Sequence, residues 1–340
     1  MDVGHRALTG PGDEAVARCR KLVEPALREA VAVLHPWGAA MAAFTLGWSG
    51  IDGKPRHHGA GKGLRPAIAL LSAEAAGGTA EPALPAAAAV ELVHAFSLVH
   101  DDIIDNDEQR RHREALWKAY GVGPALVTGD ALLALAVRQL AGHPAAMRHL
   151  SAALVELVQG QTADMAFEQR AWAGPDRVST EEYLEMAAGK TGGLLGAAAA
   201  AGVELGGAPQ LAPRMWDMGR DLGVAFQIVD DILGIWGDPD VTGKPVHSDL
   251  RREKKTLPIL AALSSGTTAA RELSAVLMSG ATDDDTVRYA AGLAEQAGGR
   301  DAAQALAERY LSSALHALDE CLPDAAELRD LCRSLVDRVN

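Results

Sequence analysis

The sequence predicts an all-α protein, and three observations lead to this prediction. Apolar residues recur every three or four positions along most of the chain, which is the spacing of one helix face. Alanine is abundant and aromatic residues make up only 4% of the chain, which favours closely packed helices over strands. Runs in which apolar and polar residues alternate are few. We therefore expect helices throughout the chain.

The predicted helices follow one another with short breaks. The first helical pattern runs from Asp13 to about Trp48, and a loop rich in glycine, histidine and lysine then ends at Pro66. Further helical patterns cover residues 66–77, 82–106, 122–140, 145–170, 179–202 and 211–235. After a polar loop that starts at Trp236, the pattern resumes over residues 256–264, 268–278, 284–297, 300–320 and 324–338.

The chain is long enough to bury a substantial core, since 48% of its 340 residues are hydrophobic. No stretch rich in proline, glycine and serine divides it. We expect residues 1–12 to form a flexible tail and residues 13–340 to form a single large domain.

Composition and charge exclude several classes of function. The formal net charge of −13 argues against binding to nucleic acids or anionic membranes. The N-terminus lacks the apolar run of a signal peptide, and no run of 18 or more apolar residues is present to span a bilayer. The three cysteines lack the CxxC spacing of a zinc site. We expect a soluble, cytoplasmic protein whose anionic substrates bind to local basic clusters or metal ions.

A first cluster of carboxylates closes an apolar helix in the segment AVELVHAFSLVHDDIIDND. Asp101 and Asp105 lie on one stripe of this helix together with His94, and Asp102 lies beside them. Charged groups on an apolar helix are costly unless they are paired or bind a metal. Mg²⁺ suits this arrangement because it is usually held by one or two carboxylates, water and phosphate. The alternative is a solvated helix end whose acids pair with Arg110 and Arg111.

The segment VAFQIVDDILGIWGD contains a second cluster of the same kind. Asp230 and Asp231 close another apolar helix, Asp238 follows them, and Gln227 lies one turn before Asp230 on its face. Two such clusters that face each other would hold several Mg²⁺ ions around one diphosphate, which would be neutralised and oriented as a leaving group.

Basic residues suited to phosphate recur close to the acidic segments. Arginine binds phosphate through its planar fork and lysine acts as a point charge. Each basic pair alone is more typical of a solvated surface, but their interleaving with two acidic clusters favours phosphate binding. The candidates are Lys62, Arg65, Arg110, Arg111, Lys190, Lys244, Lys254 and Lys255.

These motifs in this order resemble the all-trans polyprenyl synthetase family, the farnesyl and geranylgeranyl diphosphate synthases. The resemblance runs from about Lys62 to Pro258. It includes DDIID at 101–105 with its following arginine pair, KT at 190–191, FQIVDDILG at 226–234, and the loop from Gly243 to Thr256. It implies one helical domain around a central cavity, of the class I isoprenoid synthase type, and a homodimer.

The resemblance also assigns roles to the residues that match. Mg²⁺, as three ions, would be bound by Asp101, Asp105 and Asp230, with Asp102 and Asp231 in support. The allylic diphosphate would be held by Arg110, Lys190, Lys244 and Lys254. Isopentenyl diphosphate would be held by Lys62, Arg65, His94 and Arg111. Thr191 and Gln227 would steady the allylic cation or a diphosphate oxygen. Read alone, His94 would be a core histidine.

Four positions depart from the family pattern. Gly234 replaces the third aspartate of the second motif, which leaves metal binding there more dependent on Asp230. His112 stands where the family usually has glycine, and Glu114 begins a pair that is often Pro-Thr. Gly63 replaces a basic residue, which would weaken contact with isopentenyl diphosphate.

The function that the resemblance implies is head-to-tail condensation of isopentenyl diphosphate with allylic diphosphates. In this family, chain growth stops at bulky residues four and five positions before the first aspartate motif. Those positions hold Ser97 and Phe96, and one aromatic residue at the deeper position implies a C20 product, geranylgeranyl diphosphate.

Three alternatives remain open from the sequence. The product is a farnesyl or a longer polyprenyl diphosphate, the protein is a class I terpene cyclase, or it is a non-catalytic partner subunit. Cyclases usually line their pocket with aromatic rings, and the chain has only four Phe and four Tyr. A non-catalytic subunit would be expected to lose its metal-binding acids, and both clusters are retained here.

Overall fold

A computed structural model describes residues 11–56, 63–110, 113–239 and 246–336. Within these ranges the predicted all-α class is confirmed. The only strands in them are β1 (Gln109–Arg110) and β2 (Arg113–Glu114), which pair antiparallel with Gln109 opposite Glu114.

The described helices, numbered in chain order, have the following bounds. They are α1 (Pro11–Ala32), α2 (Pro36–Thr45), α3 (Leu64–Ala75), α4 (Leu84–Ile104), α5 (Leu116–Tyr120), α6 (Val122–Gln139), α7 (Pro144–Glu168), α8 (Thr180–Ala187), α9 (Gly193–Leu205), α10 (Ala212–Trp236), α11 (Ser248–Arg251), α12 (Leu257–Ser264), α13 (Thr268–Met278), α14 (Asp284–Gln296), α15 (Gly299–Cys321) and α16 (Ala326–Val336). Short 3₁₀ turns occupy Glu81–Ala83 and Pro209–Leu211, and a π-helical turn occupies Ala188–Gly192.

The predicted first helix is wrong in one respect, because it is two helices. The break covers residues 33–35, and Pro36 then takes the first position of α2, where its missing amide hydrogen breaks no helical hydrogen bond. The His35 side chain caps the new helix by accepting a hydrogen bond from the Trp37 amide at 3.3 Å. The α1 helix begins at Pro11, two residues earlier than predicted.

The chain groups into two compact units. The first takes in the described parts of Met1–Ser151, Ala197–Trp216 and Leu318–Leu331, and the second those of Ala152–Gly196, Asp217–Ala317 and Cys332–Asn340. This division does not test the expectation of a single domain over residues 13–340, which stays a prediction.

In the first unit, α4 is the central helix and packs against α1, α3 and α6. Its run of small residues Ala86–Ala89 is fully buried, which lets the neighbouring helices approach closely. The span Glu81–Ile104 is also long and apolar enough to cross a bilayer, the one such span among the described residues. More than half of it is buried against other helices, as is normal for a core helix.

In the second unit, glycines bring three helical segments into backbone contact. A Cβ atom on Gly223 of α10 would collide with Gly192 in the π-helical turn. A Cβ atom on Gly160 of α7 would likewise collide with the backbone of Lys190. Only glycine permits these approaches, and they fix the position of the turn that carries Lys190 and Thr191.

Candidate active site

The first acidic cluster lies at the C-terminal end of α4, as predicted. Asp105 is the residue that ends the helix, and its amide donates to the Asp101 carbonyl at 2.8 Å. Asp101 and Asp105 are partly exposed, whereas Asp102 is buried. Asn106 then takes a left-handed backbone conformation, with φ of 53°, and turns the chain away from the helix.

Asp102 forms an ion pair with Arg110. The turn after α4 leads into β1, and Arg110 donates from Nε to Asp102 Oδ1 at 2.7 Å, with a second bond from Nη2 to the same oxygen. For this one carboxylate the structure therefore shows the pairing with an arginine that the sequence left open as the alternative to metal binding. A buried carboxylate already bound by a guanidinium fits a supporting role better than that of a direct metal ligand.

Two residues predicted to hold isopentenyl diphosphate meet in the first unit. Arg65, on α3, donates from Nη1 to His94 Nε2, on α4, at 3.2 Å. Since arginine has no acceptor, this contact leaves Nε2 of His94 without a proton. The other two residues of that set, Lys62 and Arg111, lie outside the described residues, as does His112.

The departure at Gly63 has a local structural reason. Gly63 precedes α3 with φ of 69°, in the left-handed region where glycine is free of steric strain. Glu114, another departure, lies in β2 opposite Gln109.

The two residues predicted to set product length lie on different sides of α4. Ser97 donates to the His94 carbonyl at 3.0 Å. The Phe96 ring meets the His100 ring edge to face, with ring centroids 4.7 Å apart. His100 in turn lies 3.3 Å from the Leu126 carbonyl of α6 through Nε2. Phe96 is partly exposed.

The second acidic cluster lies on α10 in the second unit, and its two aspartates have different surroundings. Asp230 is exposed, whereas Asp231 is buried. Asp231 accepts hydrogen bonds from the Tyr183 hydroxyl, from Gln227 Nε2 at 3.0 Å and from the Leu257 amide at 3.1 Å. Burial, together with the charge of Asp249, raises the pKa of Asp231 to about 7, while the hydrogen bonds oppose this rise. Asp231 is thus the buried acceptor that connects Tyr183, Gln227 and the start of α12.

A hydrogen-bonded chain connects the π-helical turn to this carboxylate. The Thr191 hydroxyl donates to Gln227 Oε1 at 2.7 Å, and the amide of Gln227 donates to Asp231. Lys190, beside Thr191, pairs with Asp164 of α7 at 2.5 Å. The predicted residues Lys190, Thr191 and Gln227 are therefore brought together.

Lys190, Gln227 and the two aspartates of α10 line one cavity of about 150 Å³ in the second unit. Its lining combines carboxylates with lysines, as a site for a metal-bound diphosphate requires. The lining residues are Asp164, Tyr183, Met186, Lys190, Gln227, Asp230, Asp231, Asp249, Lys254, Lys255 and Thr256. Lys244 lies outside the described residues.

Sequence reasoning missed three ionisable residues of this lining, Asp164, Tyr183 and Asp249. Asp164 and Tyr183 show no motif and act as partners of predicted residues. Asp249, at the start of α11, lies against Gly234, where any Cβ atom would collide with its carboxylate. The glycine that replaces the third aspartate of the motif thus leaves room for an acid from the following loop, which offsets the expected loss of acidic character.

The acidic side chains of each unit suit Mg²⁺. The candidate ligands are Asp101 and Asp105 in the first unit and Asp230 in the second, and each offers hard oxygen atoms of the kind that Mg²⁺ prefers. In the part of the chain that the structure describes, no group of three or more acidic, histidine or cysteine side chains is arranged to hold a metal alone. Water and substrate phosphate would complete the coordination, which is usual for Mg²⁺.

Comparison with known proteins agrees with the motifs and the geometry. The sequence model of the family described as polyprenyl synthetase matches residues 56–294. The chain is 44% identical over 331 residues to a (2E,6E)-farnesyl diphosphate synthase of Mycobacterium tuberculosis, covering 94% of this chain and 91% of that protein. It is 41% identical over 328 residues to a geranylgeranyl diphosphate synthase of the same organism, with the same two coverages of 94% and 91%.

A solved structure shows the same fold. The crystal structure of a polyprenyl synthetase from Streptomyces coelicolor A3(2) superposes with a TM-score of 0.87 at 43% identity, covering 95% of this chain and 99% of that one. Sequence and fold thus agree, and the chain belongs to the polyprenyl synthetase family of prenyltransferases.

Proposed function

We propose that this prenyltransferase condenses isopentenyl diphosphate head to tail with allylic diphosphates, depends on Mg²⁺, and releases geranylgeranyl diphosphate. The observation that carries the proposal is the cavity of the second unit, where Asp230 and Asp249 line the same space as Lys190 and Lys254. Acids for cations and lysines for phosphate in one cavity suit a metal-bound diphosphate.

The chain's own residues bind and orient the two substrates. We assign Mg²⁺ binding to Asp101, Asp105 and Asp230. Bound Mg²⁺ would supply charge neutralisation of the diphosphate leaving group. The allylic diphosphate is assigned to Arg110, Lys190, Lys244 and Lys254, and isopentenyl diphosphate to Lys62, Arg65, His94 and Arg111.

The reaction then needs positioning and charge stabilisation rather than a covalent enzyme intermediate. The C–O bond of the allylic diphosphate breaks and leaves an allylic cation, which the terminal double bond of isopentenyl diphosphate attacks. The resulting cation loses a proton to the released diphosphate. Thr191 and Gln227 are fixed by their mutual hydrogen bond, and we assign to them the stabilisation of the allylic cation.

The C20 product rests on Phe96 and Ser97. Phe96 is the larger side chain at the two length-setting positions, and its ring is backed by His100. The similarity to a farnesyl synthase and to a geranylgeranyl synthase supports the short-chain class, and C15 is the second candidate product.

Product analysis tests this proposal directly. The purified protein is incubated with Mg²⁺, isopentenyl diphosphate and an allylic primer of C5, C10 or C15, and the products are separated by chain length. We expect C20 from all three primers. Accumulation of C15 would assign farnesyl synthase activity, and a cyclic hydrocarbon formed without isopentenyl diphosphate would assign a cyclase. No product from any primer would refute catalysis by this chain alone.

We also propose that the protein is a homodimer, through one face of α6. This helix of the first unit exposes four apolar side chains. Val122, Leu126 and Val137 lie within about 60° of one another around the helix axis, and Val127, which is 66% exposed, flanks them. Light scattering should give twice the mass of the chain. Val127→Glu should yield monomers, whereas Ile51→Glu, at an exposed residue outside α6, should not. The cytoplasmic location predicted from the sequence stays a prediction.

A further inference from the structure

Lys255 is a buried lysine to which the proposed mechanism gives no role. It lies in the loop between α11 and α12, directly after Lys254, and only 8% of it is exposed. Its ammonium nitrogen is 3.6 Å from the centroid of the Trp172 ring and 3.4 Å from the Glu253 carbonyl oxygen. Trp172 is itself buried in an apolar cluster with Ile235 and Leu250.

The surroundings of Lys255 compensate its charge only in part. A buried ammonium group loses its hydration and needs a counter-charge or several acceptors to replace it. The Trp172 ring attracts the cation but carries no formal charge. Among the described residues no carboxylate lies close enough to Lys255 to form an ion pair. Burial lowers the pKa of Lys255, and the more distant charges of Glu253 and Glu168 oppose this only in part. Placing this ammonium here therefore weakens the fold.

The same lysine lines the cavity that contains Lys190, Lys254 and Asp230. The loop is shaped to present two successive lysines there. Glu253 takes a left-handed conformation with φ of 54°, and the Lys254 amide donates to the Asp249 carbonyl at 3.0 Å. A multivalent anion that enters this cavity would supply the missing counter-charge.

We propose that Lys255 is a diphosphate-binding residue, held in place by Trp172 and without a carboxylate in direct contact, so that it pairs with the ligand. The inference rests on the proposed function and deepens it. The diphosphate is either the head group of the allylic substrate or the pyrophosphate that the reaction releases, and both present the same oxygens. The Trp172 ring orients the ammonium without neutralising it.

Replacement by methionine separates binding from stability. Lys255→Met keeps an unbranched chain of similar length against Trp172 and removes the charge. Isothermal titration with inorganic pyrophosphate in MgCl₂ should show affinity lower by about 10- to 100-fold, as for loss of a charge-assisted contact. The Tm of the free variant should rise, because an uncompensated buried charge is gone. Lys21→Met, which removes an exposed lysine of α1, should change neither quantity.

A second variant and a second ligand complete the test. Lys255→Arg keeps the charge and should retain pyrophosphate affinity within a few-fold of the original protein. If the substrate head group binds there, Lys255→Met also raises KM for the allylic diphosphate; if only the released product does, it relieves inhibition by pyrophosphate and leaves that KM unchanged.

Two outcomes would overturn the inference. Unchanged pyrophosphate affinity in Lys255→Met would show that the ammonium does not bind the ligand. A lower Tm together with lower affinity would make Lys255 a structural anchor of the loop. Neither depends on turnover, so a protein that forms no prenyl product, which defeats the proposed function, still gives a reading by titration.

Discussion

The hydroxyl of Tyr183 should stabilise the protein in a pH-dependent way, because it donates to the buried carboxylate of Asp231. The pKa of Asp231 is raised from 3.8 to about 7, so its ionisation opposes folding. The associated stability is complete below the unfolded-state pKa and is lost as the pH rises through about 7. The Tyr183 bond favours the charged form and limits this loss.

Replacement of Tyr183 by phenylalanine removes that bond and leaves Gln227 and Leu257 as the donors to Asp231. A hydrogen bond to a charged group contributes about 1.5–3 kcal/mol and a neutral one about 1 kcal/mol. At about 1.36 kcal/mol per pKa unit, the loss moves the pKa of Asp231 upward by about one unit. We expect Tyr183→Phe to lower the free energy of unfolding by about 1 kcal/mol at pH 5.5 and by about 1.5–3 kcal/mol at pH 9.

Urea denaturation at the two pH values measures the difference, with EDTA present so that bound cations do not shift the carboxylate. Tyr310→Phe is the matched control, since the Tyr310 hydroxyl forms no hydrogen bond to the residues that the structure describes. Equal destabilisation by Tyr183→Phe at pH 5.5 and pH 9 would show that Asp231 does not titrate between them, and would refute the reasoning.

Three further predictions concern activity. EDTA should abolish turnover, and added Mg²⁺ should restore it. Asp230→Ala should lower kcat at least about a hundredfold, as for loss of an electrostatic catalytic group. Near-normal turnover of this variant would disprove the metal assignment. Arg65→Ala should raise KM for isopentenyl diphosphate by about ten- to a hundredfold, and Lys190→Ala should mainly raise KM for the allylic substrate. Equal effects of each variant on both substrates would contradict the assignment of these residues to two separate diphosphate sites. Phe96→Ala should shift the products to C25 or longer and Ser97→Phe to C15, read by chromatography; unchanged products in both would place the length-setting contact elsewhere.

The fold class was accessible from the sequence because helical periodicity is a local property. Helix positions after residue 64 agree with the predicted ones to within a few residues, except that the short helices α5 and α11 were not predicted. The break before Pro36 was not predicted, since apolar spacing continues across it. The proline does not identify the break either, because Pro25 lies inside α1 without ending it.

The candidate site could be predicted from the sequence only in part. Motifs identify residues of a type that binds metal or phosphate, but they do not identify the side chains that contact those residues. Asp164 pairs with Lys190 across 26 positions, and Tyr183 reaches Asp231 across 48. No spacing rule connects residues so far apart. The role of Gly234 was read as a loss from the linear motif, whereas in three dimensions it admits the carboxylate of Asp249.

The glycine contacts of the second unit bear on how this enzyme can diversify. Gly160, Gly192 and Gly223 leave no room for a methyl group, so substitution of any of them would displace the backbone around Lys190. Phe96, by contrast, is a partly exposed side chain on another helix and can be exchanged without moving that backbone. Under the proposed role of Phe96 in product length, a new product length requires substitutions on α4 and none at the three glycines. A mutant library that keeps these glycines and varies α4 is then expected to contain active variants of altered specificity.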